Sequence, residues 1–169
     1  MRTILLALTF SALSLVASAD ESSVSSPDKR YLVTLRPPKP DTAFPVIMLR
    51  DTRTGRDVEL FDYDSVGQGT SVLRAFWSPD SRHVALTLAM GPATQDVAVY
   101  RITEGVAHEV TLLPIPKSID AQRYGHRGGP SVERWGDNRT LWVSDGQKSR
   151  SFRYSFTKQD KLLADDFKK

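Results

Sequence analysis

The chain has 169 residues, with 23 Lys and Arg against 20 Asp and Glu and a formal charge of +3. So near-neutral a balance supplies no electrostatic footprint for nucleic acid, and that class of partner is not expected. There is no cysteine, which excludes disulfides, thiolate nucleophiles and cysteine-ligated metals.

Residues 1–19 read as a secretory signal peptide. Arg2 gives a positive start, residues 4–16 are an apolar run, and Ala17-Ser18-Ala19 fits the small-x-small cleavage rule. The run is shorter than the ~20 residues of a helical span, and no second run of spanning length follows. Export to the periplasm or beyond is expected, with no membrane span once the leader is removed. Residues 20–169 then have the size of a single domain with its own core.

Along that domain the signals are those of short strands and tight turns. Residues 20–25 are a polar lead-in. Ser26-Pro27-Asp28-Lys29 reads as a turn, because Pro presets φ and Asp bonds back to nearby amides. Residues 31–35 form a strand, and Pro37-Pro38-Lys39-Pro40 a stiff connection that cannot pair in a sheet. Residues 46–49 are continuously apolar, as in a strand buried on both faces. Arg53-Thr54-Gly55-Arg56 turns the chain into a strand over 57–63. The spacing Gly67-Gln68-Gly69 is a flexible connection; no helix pattern follows it to receive a phosphate.

Residues 70–77 are the next strand, closed by Ser78-Pro79-Asp80-Ser81. In residues 83–88, Val84, Leu86 and Leu88 point one way and His83, Ala85 and Thr87 the other. Strands follow over 96–103 and 106–112, joined at Glu104-Gly105. Residues 114–130 are the longest stretch without periodicity. A third unit then opens at Gly129-Pro130-Ser131-Val132 and carries Trp135, turns at Gly136-Asp137-Asn138-Arg139 with Asn138 suited to a left-handed position, and alternates through Phe152, Tyr154 and Phe156. Residues 161–169 fit either a last strand or a short helix.

The string Phe76-Trp77-Ser78-Pro79-Asp80-Ser81-Arg82-His83-Val84-Ala85-Leu86 resembles the WD40-like repeat of TolB-type β-propellers. It departs at Ser81, where the family usually carries Gly. The resemblance implies an all-β fold of antiparallel four-stranded meanders, with blade-like repeats over 26–64, 70–112 and 130–167. Propellers close with about four to eight blades, so three repeats imply an incomplete or open propeller. It also implies a role in protein contacts.

Antiparallel meanders collect their tight turns at one end and their long loops at the other. Function is more often built on long loops held by a rigid scaffold, so the long-loop end is the expected face. Lys117, Arg123, Tyr124, His126 and Arg127 are its candidate binding residues. No nucleophile elbow or ligand cluster is visible, so no catalytic residue, metal or cofactor is expected. His83 and His108 are expected at the surface or rim, and Trp77, Trp135 and Trp142 in blade packing. The leading expectation is an exported, non-enzymatic binding protein whose partner is another envelope protein. A cell-envelope hydrolase or accessory domain, using His126 with Asp120, is one alternative. An inhibitor or immunity-type protein that plugs an enzyme with the 123–129 loop is another.

Overall fold

The structure is a computed structural model that describes residues 23–38, 40–41, 44–62, 74–89, 95–110, 129–144 and 151–156, with the backbone of 162–164. The leader at 1–19 and the Gly67–Gly69 connection lie outside these residues. Three four-stranded antiparallel sheets are formed, each a meander in chain order. The first holds β1 (Ser23–Ser25), β2 (Tyr31–Arg36), β3 (Val46–Asp51) and β4 (Asp57–Asp62). The middle sheet holds β5 (Arg74–Trp77), β6 (His83–Ala89), β7 (Gln95–Thr103) and β8 (Val106–Val110). The third holds β9 (Ser131–Asp137), β10 (Thr140–Ser144), β11 (Ser151–Phe156) and β12 (Leu162–Ala164). These are the expected blade-like units. One boundary differs. The polar lead-in contributes the short strand β1, paired with β2 from Ser23 opposite Thr34 to Ser25 opposite Leu32. Of the two forms that residues 161–169 fit, Leu162–Ala164 take the strand.

The middle sheet is buried on both faces, and its sequence shows why. Val84, Leu86 and Leu88 of β6 join Ala98, Tyr100 and Ile102 against Tyr31, Val33, Ile47, Leu49 and Leu60 of the first sheet. The alternate residues, Ala85 with Val97 and Val99, meet Val132, Leu141, Val143 and Tyr154 of the third sheet. A period of two therefore serves two cores at once. Two buried polar bonds pin the layers. The Tyr100 hydroxyl donates to the Leu60 carbonyl at 2.7 Å, and the Val132 amide donates to Thr87 Oγ1 at 3.0 Å. Burial, then the nearby Glu109 carboxylate, push the Tyr100 phenol well above its usual pKa, so it stays a neutral donor. A Cβ at Gly129 would collide with the Gln95 backbone, so the third sheet begins at a position that only glycine fits.

The junctions between sheets repeat one another. The Trp77 indole N–H donates to the Val24 carbonyl at 3.2 Å, and that of Trp135 to the Phe76 carbonyl at 2.8 Å. Val24 and Phe76 are equivalent, each two residues before the serine of a Ser-Pro-Asp turn. The rings repeat as well. Tyr31 stacks on Trp77 at 6.2 Å, and His83, in Tyr31's place of the next repeat, lies 5.8 Å from Trp135 and 4.4 Å from Phe156. His83, expected at the surface or rim, is half-buried. Both its ring nitrogens are buried, because its position is that of an inter-sheet ring. His108 is exposed, as expected.

The outer faces of the stack are different in kind. On the first sheet, Arg36 and Arg50 both bond to Asp57, at 2.7 and 2.8 Å. Arg36 stands opposite Val46 and Asp57 opposite Arg50. The Arg36 bond must therefore run along the sheet past Met48, and both Val46 and Met48 are buried. On the third sheet, Trp142 stands between Arg134 and Arg153 in register, with the Arg134 guanidinium 5.4 Å from its ring centre.

Replacing Trp135 by Phe keeps most of the apolar area but leaves the Phe76 carbonyl without its donor. Urea unfolding should show a loss of about 1–2 kcal/mol; an unchanged midpoint would show that the clasp contributes nothing.

Candidate functional site

The tight turns are built on one chemical pattern. The Ser26 hydroxyl donates to Asp28 Oδ1 at 2.6 Å and accepts from the Tyr31 amide at 2.9 Å. The Ser78 hydroxyl does the same with Asp80 and His83, at 2.7 and 2.9 Å. Each carboxylate also accepts an amide two residues on, from Arg30 and from Arg82, both at 3.1 Å. The residue between them is left-handed in both turns, Lys29 at φ 61° and Ser81 at φ 60°. This is the position where the resembling family carries Gly, which takes that conformation without strain. Ser81 has a use for its side chain: its hydroxyl accepts the Asp28 amide at 3.1 Å and so ties the middle sheet's turn to the first sheet's. In the third sheet Asp137 faces Thr140 directly, leaving a two-residue turn. Asn138 is not among the left-handed residues, contrary to expectation. Asp137 Oδ1 still accepts the Arg139 amide, at 2.7 Å.

An Asp-x-Arg triplet therefore recurs in all three sheets: Asp28 to Arg30, Asp80 to Arg82 and Asp137 to Arg139. The three arginines come together at one end of the stack. They line a cleft of about 830 Å³, with Arg101, Glu104 and the rings of Tyr31, His83 and Phe156 also on its wall. That volume lies within the range of small-ligand sites, about 300–1,000 Å³. Neighbouring turns hold the cleft's base. Arg30 Nη2 meets Asp51 Oδ2 at 3.3 Å, and a Cβ at Gly105 would stand 3.3 Å from the same oxygen. Glu104 and Gly105 are both left-handed, at φ 52° and 78°, as a two-residue type I′ hairpin requires.

Four carboxylates, Asp28, Asp51, Asp57 and Asp137, are held below the usual aspartate range. Burial would raise the Asp28 pKa, but the Ser26 hydroxyl, the Arg30 amide and the Ser81 hydroxyl together hold it below 3.8. Burial likewise opposes, and the Arg53 and Thr54 amides with Arg30 outweigh, in Asp51. Asp57 is lowered foremost by the Arg50 guanidinium, and Asp137 foremost by the Arg139 amide.

The candidates read from the sequence, Lys117, Arg123, Tyr124, His126 and Arg127, lie outside the described residues. The cleft was missed because it stands at the tight-turn end, where connections too short to adapt were assigned to scaffolding. The signal was present: the Asp-x-Arg triplet repeats with the turns. Arg101 carried no such signal, since β7 alternation alone places it.

No protein-family model matches the chain, and no curated protein matches it. Among solved structures the chain is similar to the crystal structure of TolB from Acinetobacter baumannii. The TM-score is 0.44 and the identity 15%, over 88% of this chain and 33% of that one. The chain thus spans a third of that protein's length, and the likeness is a loose one of fold.

Two outcomes follow from the turn chemistry. Lys29→Gly and Ser81→Gly relieve the same backbone strain, but only the second loses an inter-sheet bond. Lys29→Gly should therefore be the more favourable by about 1 kcal/mol in denaturant unfolding; equal effects would remove the Ser81 bond from the account. Acid should act on all four lowered carboxylates. A group depressed in the folded state gives stability that is complete above its unfolded pKa and lost as pH falls through the folded one. Urea midpoints should be level above about pH 5 and fall once pH drops below 3.8, the usual aspartate value. A midpoint independent of pH down to about 2 would contradict these shifts.

Proposed function

We propose that the protein is an exported, non-catalytic binding module that docks a protein partner of the cell envelope at the tight-turn end of its stack. The observation that carries this reading is the cleft lined by equivalent arginines from all three sheets. A site assembled from several rigid elements is preorganised, so little ordering is lost when a partner docks. Its carboxylates support binding over acid–base chemistry. Asp28 and Asp80 are occupied by turn bonds, and Asp28 is held ionised, unlike a proton donor matched to neutral pH. The leader-like residues 1–19 support export.

The test is capture from envelope extract with the purified protein as bait. Arg82→Gln/Arg139→Gln and Arg123→Ala/Arg127→Ala variants serve as controls. The expected result is a stoichiometric protein partner retained by the native chain and the 123/127 variant, and lost by the 82/139 variant. A partner lost only by the 123/127 variant would move the docking face to the long-loop end. Turnover of an envelope polymer by the native chain would replace the binding reading with a hydrolase.

A further inference from the structure

We infer that the element this cleft receives is a short acidic peptide segment. Its carboxylates meet the repeat-equivalent arginines while an apolar side chain lies against the Phe156 wall. The inference rests on the binding reading above and gives it a ligand.

The arginines supply the first part of the case. Arg30, Arg82 and Arg139 each directly precede the second strand of their sheet, so positive charge is spread around a single opening. Arg82 and Arg139 are exposed and make no ion pair with a described residue. Arg30 is steadied by Asp51 and lies 4.9 Å over the Tyr31 ring. Its Nε is buried and has no hydrogen-bond partner among the described residues. Forked guanidinium donors suit carboxylates and phosphates alike.

The rim decides between those two. Asp28, Asp80 and Glu104 stand among the arginines on the same wall. A phosphate chain or a uniformly charged glycan carries an anion at every unit and would set some of them against these carboxylates. A peptide places its carboxylates at separate residues and offers backbone N–H groups to the acids between. The aromatic wall makes the same choice, since a peptide brings apolar side chains and a phosphate chain brings none.

The experiment selects short random peptides on the purified protein and titrates labelled clones by fluorescence anisotropy. Selected clones should be rich in Asp and Glu. Their Asn and Gln counterparts should bind about ten-fold more weakly or worse. The Arg82→Gln/Arg139→Gln variant, checked for an unchanged melting temperature, should show a similar loss. Raising salt from about 0.01 M to about 1 M, which shortens the screening length from about 30 Å to about 3 Å, should abolish binding. The inference is overturned if no acidic consensus emerges, if the double variant binds equally well, or if inorganic phosphate displaces the peptide at comparable concentration. A turn-end partner captured from extract alongside any of those outcomes would sink the acidic segment and leave the binding reading standing. Failure of both experiments would remove both.

Discussion

An indole N–H reaching back to the carbonyl of the sheet before it is the contact on which this architecture turns. A sheet has no side-chain code for where its neighbour should sit; apolar faces slide easily over one another. The bond from Trp77 to Val24, repeated from Trp135 to Phe76, supplies a direction and a register that hydrophobic burial lacks. The ring pairs beside each bond bury area at the same points. Two core clusters then form on opposite faces of one sheet, each aligned by its own clasp.

That alignment also explains why the turns of separate sheets meet. If the sheets are stacked in register, equivalent turns fall side by side at one end. Ser81 can then accept a bond from Asp28, Gly105 can admit Asp51, and the arginine after each aspartate arrives at a common opening. The cleft is a by-product of repetition under a fixed offset. Its charges are arranged by the backbone: each Asp-x-Arg turn places the carboxylate on the arginine's own amide, which leaves the Arg82 and Arg139 guanidinium groups exposed and that of Arg30 to Asp51.

The repeat was legible because its parts are local. Proline, aspartate and alternating valines and leucines report on turns and strands within a few residues, and the Phe76 to Leu86 string carried enough of them to bring the family pattern to view. Burial of residues 46–49 followed from the same local logic. What was not legible depends on which sheet lies next to which. The histidine at position 83 reads as one polar residue in an alternating strand; only the stacked Trp135 and Phe156 make it an inter-sheet ring. Ser81 reads as a departure from glycine until the neighbouring turn is in place to use its hydroxyl. The arginines at 30, 82 and 139 are marked locally by the repeated Asp-x-Arg triplet, but only the stacking of the sheets brings them to one cleft.

The two outer faces carry the remaining consequence. Repeat stacks extend by laying one apolar face on the next, and they stop where a face is polar. A further layer on the first sheet would have to strip water from the Arg36–Asp57–Arg50 group. On the third it would have to cover Trp142 beneath Arg134. Removing an ion from water costs several kcal/mol unless a partner replaces the lost hydration. Among the described residues, both outer faces therefore carry charge at their centre. A second copy laid on the described residues of either face would have to meet that cost, which works against head-to-tail growth into open fibres, the standing hazard of one-directional contacts.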